Sequence, residues 1–388
     1  MTTPSTIVVA SADDITMLRE ELAKAQWIAL DTEFHGERRY RPHLLLVQVY
    51  VPGGHAWILD PLVSGLLPSL AEDLTRPGWI LHGGSWDLRL LQETLGRLPR
   101  AVRDTQVAAG LVATRFPASL TSLVRRYLDL DLDKGEALSD WSRRPLHPNQ
   151  LRYASLDVTL LPKLWARLAA SAPDAARLAM LEQASGAAAS EWLAGPDETL
   201  LWTHLPGADN LDAKEAAIAR ALVAWREGLA QRADQPPRNV LSDGWLLNVA
   251  RDRLGPSRLP SRGVDRALAA EANEIAVKAR QSDPKSWPTV LSQGSDCRAR
   301  YAWWGSLAET SSAHLGVASA LVWPVSLLRT LATSSALDDE ALLHGLLGWR
   351  APLVGGIALG SVRGTVSLSL AGMTPRIVLD HGQSASNR

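Results

Sequence analysis

The sequence predicts an α/β domain, with a mixed sheet flanked by helices, followed by two all-α helical bundles. The first observation is that short apolar runs alternate with helical periodicity over about the first hundred residues, a pattern typical of layered α/β domains. The second is that the periodicity is helical from about residue 105 onward. The third is a set of proline- and glycine-rich breaks in the second half of the chain, which separate one helical unit from the next.

The N-terminal elements follow in the order expected for such a domain. The predicted strands are the apolar segments 5–10, 27–34, 44–51, 55–60 and 79–83. The predicted helices are 13–25, 62–76 and 85–96, where apolar residues recur every three or four positions. Ser11 is placed to cap the first of these helices, because a serine side chain accepts hydrogen bonds from the free N–H groups of a first turn.

The helical part of the chain divides where its composition changes. Residues 211–282 have the pattern of a compact bundle, interrupted at Pro236 and Pro237, and a second helical unit spans about 295–360. In the last stretch, segments 365–370 and 376–380 have the composition of paired strands. The predicted domains are therefore 1–205, 206–288 and 289–360, followed by a C-terminal tail, 361–388.

Composition excludes several classes of protein. The formal net charge is −1, so any binding of nucleic acid must come from local basic patches. The single cysteine, Cys297, excludes a disulfide framework and a cysteine-rich zinc site. The N-terminus lacks the basic and apolar regions of a signal peptide, and no uninterrupted apolar run approaches the ~18 residues of a membrane span. We therefore expect a cytoplasmic protein with no membrane partner.

Two acids follow the apolar half of the second predicted strand, in the stretch ALDTEF. Side chains two residues apart in a strand share a face, so Asp31 and Glu33 project together. Neighbouring carboxylates repel, and burial makes each ionised group more costly. Either a cation lies between or beyond them, or Glu33 pairs with Arg38 or Arg39 while Asp31 caps a turn.

Further acids occur where the sites of α/β proteins assemble. Asp87 lies in the first turn of a predicted helix, directly after a strand. An acid at that position also complements the helix dipole, which is the structural alternative. Tyr153 and Asp157 are four residues apart and share one face of a packed helix. For this pair the alternative is a simple hydrogen bond between the tyrosine hydroxyl and the carboxylate.

Four carboxylates without a competing cysteine or histidine cluster favour Mg²⁺ or Mn²⁺ over zinc. Two such ions about 3.5–4 Å apart are the usual arrangement for phosphodiester hydrolysis. Tyr153, one helical turn before Asp157, is placed to orient the attacking water. The unperturbed tyrosine pKa near ~10 favours that role over a full general base.

Three segments carry a resemblance to a known family. DTEF, HGGSWDL and YASLD are similar, in order and setting, to the three exonuclease motifs of the DEDD superfamily in its tyrosine-bearing branch. The linking segments, among them RDTQVAAGL and SDWSRRPLHPNQ, resemble the ribonuclease D family over residues 1 to about 195. The chain departs from the family pattern at Trp86 and Arg39, and neither is an expected ligand.

The resemblance implies a ribonuclease H-like fold and 3′→5′ exonuclease activity. It assigns the metal ligands as Asp31, Glu33, Asp87 and Asp157, with Tyr153 as the group that positions water. Basic residues near the motifs are candidate phosphate contacts: Arg38, Arg39, Arg41, Arg143 and Arg144. Lys134 lies in a segment that is near the active site in the family. For about half of these cations, an ordinary solvated side chain is the alternative.

Residues 211–285 resemble the HRDC domain, which is shared by RecQ-type helicases and ribonuclease D, and residues 295–360 resemble the second helical domain of ribonuclease D. The implied function is a 3′→5′ exoribonuclease that releases nucleoside 5′-monophosphates from single-stranded RNA 3′ ends. The implied substrates are transfer RNA precursors and other small structured RNAs, and the expected form is a monomer. A DNA exonuclease of the same superfamily and a non-catalytic RNA-binding protein are the two alternatives.

Overall fold

The structure is a computed structural model of the chain. It describes residues 4–132, 135–136, 139–253, 266–291, 295–334, 337–371 and 374–379.

Among these residues, six strands form one mixed sheet in the order β1-β4-β3-β2-β5-β6. The strands are β1 (Thr6–Val8), β2 (Trp27–His35), β3 (His43–Tyr50), β4 (Ala56–Leu59), β5 (Gly78–Leu81) and β6 (Val102–Asp104). The long central strand β2 is antiparallel to β3 and parallel to β5. The predicted mixed sheet is confirmed. Strand β6 was not predicted, because three residues are too few to form a recognisable pattern.

Helices cover both faces of this sheet. They are α1 (Ala12–Lys24), α2 (Leu66–Ser69), α3 (Ala71–Thr75), α4 (Ser85–Leu95), α5 (Thr105–Val112), α6 (Leu120–Leu128), α7 (Pro148–Thr159), α8 (Leu161–Ala170) and α9 (Ala175–Ala194). The predicted cap is confirmed, because the Ser11 side chain accepts a hydrogen bond from the backbone N–H of Asp14. The single helix predicted over 62–76 is wrong. Gly65, with φ +77°, precedes α2, and the helix is interrupted at Leu70, which separates α2 from α3.

Alternation along β2 divides the apolar residues between two cores. Ile28 and Leu30 belong to a core that they share with α1, α2, α3 and α4. Ala29 belongs to a second core, shared with α5, α8 and α9. Asp31 and Glu33 continue the alternation of Ala29, so both acids lie on the face of the sheet that Ala29 occupies.

The remaining helices form two groups. They are α10 (Ala213–Ala233), α11 (Pro237–Val240), α12 (Asp243–Ala250), α13 (Arg266–Arg280), α14 (Ser295–Leu315), α15 (Ser319–Val322), α16 (Val325–Thr333), α17 (Glu340–Leu347) and α18 (Ala351–Val362). The first group, α10 to α13, has a core of its own. The second group, α14 to α18, shares its core with α5, α8 and α9 of the first domain.

Two polar contacts fix this second group to the first domain. The backbone N–H of Ala318 donates to the carbonyl of Gly110 at 2.7 Å. Arg350, of which only 8% is exposed, pairs with Glu191 of α9 at 3.0 Å. The C-terminal helices are therefore an integral layer of the first domain's core.

One segment, Glu340–Val362, is long and apolar enough to cross a membrane, by its 23 residues and mean hydropathy of 1.3. The sequence pattern did not predict a span here, because no uninterrupted apolar run in it approaches ~18 residues. The segment consists of α17 and α18, joined by a 3-10 turn at Gly348–Arg350. Leu343, Leu347 and Val354 are completely buried in the shared core. One third of the segment's most apolar 18-residue window is buried, and that part packs in the core shared with the first domain.

The chain continues after α18 into a hairpin of β7 (Val366–Ala371) and β8 (Thr374–Leu379), which pair antiparallel. This confirms the pairing predicted for segments 365–370 and 376–380. The hairpin packs against α14 and α18.

Candidate active site

Three acids that are distant in the sequence meet at the centre of the sheet. Asp31 and Glu33 come from β2, and Asp157 comes from α7, which packs across β2, β3 and β4. One carboxylate oxygen from each of the three lies within 4.8 Å of the other two. Among the described residues no ion pair joins Glu33 to Arg38 or Arg39. The structure therefore favours the convergent arrangement over a local salt bridge.

Asp87, in the first turn of α4, is not part of this group within 4.8 Å, but it is near enough for its charge to raise the pKa values of Asp31 and Glu33. The Thr32 hydroxyl donates to Oδ1 of Asp87 at 2.6 Å, which fixes the rotation of the carboxylate. The start of α4 is held in turn by Asp104, which accepts a hydrogen bond from the Gly84 N–H at 2.9 Å. A Cβ atom at Gly84 would lie 2.6 Å from the Leu81 side chain, so only glycine allows this close approach.

Burial raises the pKa values of all four carboxyl groups, and the charges of the neighbouring acids raise those of Asp31 and Glu33 further. The pKa of Asp31 lies well above its usual range because of burial and the charges of Asp87, Asp157 and Glu33. Burial and the same neighbours raise the pKa of Glu33 to about 8. Burial raises the pKa of Asp157 to about 7 and that of Asp87 to about 6. Converging carboxylates of this kind need a cation, and their oxygen-only donor set fits hard divalent ions.

Tyr153 lies one turn before Asp157, and its hydroxyl donates a hydrogen bond to the Asp157 carboxylate. Burial and the charges of Asp157 and Glu33 raise the tyrosine pKa, so the hydroxyl keeps its proton. The Tyr153 ring packs beside Trp141, with 6.0 Å between ring centroids. Trp141 is 2% exposed and belongs to the packing beneath α7.

A cavity and an aromatic pair flank these groups. The cavity has a volume of about 120 Å³, and its lining residues are Gly135, Glu136, Asn149, Arg152, Tyr153 and Leu156. Phe34, at the end of β2, lies against Trp86, with 6.2 Å between ring centroids. Trp86 is 41% exposed, which leaves part of its surface open to solvent next to Asp87.

Of the basic residues predicted to contact phosphate, those on the loop after β2 are exposed, whereas the Arg144 side chain is held by contacts with the protein itself. Arg38, Arg39 and Arg41 are exposed on the loop after β2. Arg39 Nη1 lies 3.2 Å from Asp234, the residue that ends α10, and the Arg41 backbone N–H donates to the same carboxylate at 3.2 Å. Lys134 lies outside the described residues. The loop that follows the first motif is therefore tied to the first helical bundle.

Arg144 holds a bulge beside Glu33. Between Glu33 and Phe34 the pairing of β2 with β3 shifts, which leaves Leu45 as an extra residue on β3. Such a bulge bends the strand and redirects nearby side chains. Arg144 Nη2 donates to the Leu45 carbonyl at 2.8 Å, and its Nε lies 2.5 Å from Asp60. These contacts indicate a structural use of Arg144, and its contact with RNA stays a prediction.

Replacing Arg144 by Ala is expected to lower the free energy of unfolding by about 1–3 kcal/mol, because it removes charge-assisted hydrogen bonds and leaves the half-buried Asp60 with the Leu62 N–H but without its counter-ion. The matched control is Arg143→Ala. The Arg143 side chain is 82% exposed, so its loss should cost no more than about 0.5 kcal/mol. Urea denaturation of the metal-free protein measures both values. Equal stability of the two variants would contradict the structural role.

Comparison with known proteins agrees with this geometry. A family model described as a 3′-5′ exonuclease matches residues 6–171, and a model described as the HRDC domain matches residues 215–253. Ribonuclease D of Jannaschia sp. is 32% identical over 392 residues, which covers 95% of this chain and 98% of that protein. Ribonuclease D of Zymomonas mobilis is 34% identical over 249 residues, 63% of each chain.

The crystal structure of Escherichia coli RNase D, described as an exoribonuclease involved in structured RNA processing, superposes with a TM-score of 0.72 at 24% identity. It covers 93% of this chain and 99% of that one. The fold and the acidic site define the class as a 3′→5′ exonuclease. Because the match to ribonuclease D of Jannaschia sp. spans nearly the whole length of both proteins, the chain belongs to the ribonuclease D family, as the motifs predicted.

Proposed function

We propose that the chain is a metal-dependent 3′→5′ exoribonuclease that hydrolyses the last phosphodiester bond of RNA and releases nucleoside 5′-monophosphates. The observation that carries the proposal is the convergence of Asp31, Glu33 and Asp157 within 4.8 Å, beside Tyr153. Proteins named ribonuclease D that match nearly the whole chain support RNA as the substrate.

The four acids would hold two divalent ions, Mg²⁺ or Mn²⁺. The raised carboxyl pKa values support this, because such a cluster gains most from a bound cation. When bound, such ions lower the pKa of an attacking water and neutralise charge on the phosphate. The chain's own contributions are the alignment of the Asp87 carboxylate by Thr32 and the hydroxyl oxygen of Tyr153, which would orient the water by accepting a hydrogen bond from it while its own proton is donated to Asp157. The raised pKa of Tyr153 argues against proton abstraction by this group.

A single-stranded 3′ end is the substrate that best fits the surroundings of the acids. The partly exposed Trp86 packs against Phe34 and has the Arg89 guanidinium 5.5 Å from its ring centroid, so aromatic surface and a cation lie together where we propose that an unstacked base binds. Arg152, in the cavity beside Tyr153, offers a cation to the phosphate, and so does Arg38 on the exposed loop. We propose transfer RNA precursors and other small structured RNAs as the natural substrates, acted on by a monomer in the cytoplasm.

A time course on one RNA, labelled at the 5′ end or at the 3′ end, tests the activity. We expect immediate release of labelled mononucleotide from the 3′ label, and a ladder of shortening products from the 5′ label. Chelator should stop both, and Mg²⁺ or Mn²⁺ should restore them. Faster digestion of a matched DNA would favour the DNA exonuclease, and binding without any cleavage would favour the non-catalytic alternative.

A further inference from the structure

Gln48 is a buried polar residue next to the acidic cluster. It lies on β3 directly opposite Asp31 and is 0% exposed. Neither amide atom, Nε2 or Oε1, has a hydrogen-bond partner among the described residues. Ile58 of β4 flanks it on the other side. The residue therefore places an unpaired amide in the sheet immediately beside a candidate metal ligand.

An unpaired amide at such depth is costly, and native proteins provide partners for nearly all buried polar groups. The neighbours of Gln48 on β3 and β4 include Leu46 and Ile58, which are completely buried and apolar. The polar group that the sheet itself places opposite Gln48 is Asp31. Directly opposed residues of antiparallel strands have Cβ atoms about 4.5–5.5 Å apart, and a glutamine side chain spans that gap by rotation about its own bonds.

We propose that Gln48 is a positioning residue of the metal site: its Nε2–H donates to the Asp31 carboxylate when ions are bound and holds that carboxylate in its ligating orientation. This inference rests on the proposed function. Groups that orient metal ligands commonly change metal affinity 10- to 100-fold when they are removed. Gln48 would play this part from the strand next to the ligand, as Thr32 does for Asp87 on the other side of the cluster.

The test is Gln48→Met, which keeps the length and volume of the side chain and removes the amide. We expect Mn²⁺ affinity, measured by titration calorimetry without RNA, to fall about tenfold or more. We expect the Tm of the metal-free protein to stay the same or rise, because an unpaired buried amide is lost. A purely structural amide predicts the reverse, with a lower Tm and unchanged Mn²⁺ affinity, and that result overturns the proposal.

Two controls separate this inference from the proposed function. Val49→Ala opens a cavity on the same strand but on its opposite face, so it should lower Tm and leave Mn²⁺ affinity unchanged. Asp31→Asn should remove most Mn²⁺ binding. If Asp31→Asn binds Mn²⁺ like the wild type, the proposed metal site fails. If Asp31→Asn loses Mn²⁺ binding but Gln48→Met binds Mn²⁺ like the wild type, the inference about Gln48 fails and the proposed metal site stands. If Gln48→Met and Gln48→Leu both fail to fold, the amide is needed without metal, which also overturns the inference.

Discussion

Replacing Asp31 by Asn is expected to lower the rate of RNA hydrolysis at least about 10³-fold, which corresponds to roughly 4 kcal/mol of transition-state stabilisation. The substitution keeps the size of the side chain and removes one charge from the centre of the cluster. The affinity for single-stranded RNA should change by no more than a few-fold, because the groups proposed to contact phosphate are arginine side chains rather than the acids.

Single-turnover cleavage of a 5′-labelled RNA measures the rate, and fluorescence anisotropy in chelator measures the affinity. Asp13→Asn is the matched control, because Asp13 is an exposed acid in the first turn of α1, and it should behave like the wild type. Turnover by Asp31→Asn within tenfold of the wild type would remove Asp31 from the catalytic machinery.

The second large effect is on stability, and it depends on both metal and pH. The pKa of Glu33 is about 8 in the folded protein, against 4.5 for the free group. Below about pH 4.5 the carboxyl is protonated whether the chain is folded or not. Between pH 4.5 and 8 the unfolded chain ionises freely while the folded chain retains the proton. The metal-free protein therefore loses stability through this window as pH rises.

Bound metal should reverse that loss, because it binds only the folded, ionised cluster. A metal concentration of 100 Kd stabilises the folded state by about 2.7 kcal/mol. For a chain of 388 residues a stabilisation of 1 kcal/mol raises Tm by about 1–2 °C, so the expected rise is about 3–5 °C at pH 8.5. At pH 5.5 protons compete for the same oxygens, so the rise should be much smaller. Scanning calorimetry with chelator or with Mn²⁺, at both pH values, measures the difference.

Glu33→Gln is the matched control for this pH dependence. Burial lowers the pKa of His82, so below about pH 6.5 the unfolded chain binds this proton more readily than the folded chain does. The stability of the metal-free protein therefore rises with pH because of His82, whereas it falls with pH because of Glu33. The informative quantity is therefore the difference between wild type and Glu33→Gln at each pH. In chelator Glu33→Gln should be more stable than the wild type at pH 8.5. At pH 5.5 the stability difference between the two proteins should be much smaller. A metal-induced rise of equal size at both pH values would argue against the acidic cluster as the binding site.

The sequence predicted that the acids converge, which the structure shows for Asp31, Glu33 and Asp157, but it did not predict the groups that hold the acids in place. Asp31 and Glu33 are recognisable because strand alternation is local, and Tyr153 and Asp157 because helical spacing is local. Thr32 is 55 residues from Asp87 in the chain, and nothing near it in the sequence indicates a hydrogen bond to that carboxylate. No local pattern around Asp104 indicates that its carboxylate accepts a hydrogen bond from the Gly84 N–H at the start of α4.

The same limit applies to Arg144 and Gln48. Arg144 stands beside an exposed arginine in a polar segment, which suggested a phosphate contact. Its partner Asp60 is 84 residues away, and the bulge at Leu45 is visible only once β2 and β3 are paired. Gln48 sits in an apolar strand whose composition predicts burial but not the identity of the residue opposite. The roles of Arg144 and Gln48 depend on which residues pair across the sheet. A single sequence does not predict that pairing.

The core that α14 to α18 share with α5, α8 and α9 is built from two segments that are far apart in the chain. Leu164 and Leu181 of the first domain are completely buried in this shared core, and part of the layer that covers them lies more than a hundred residues further along the chain. The intervening bundle, α10 to α13, keeps its own interior. Truncation before α14 would therefore leave the apolar side chains of α5, α8 and α9 without the layer that covers them in this structure.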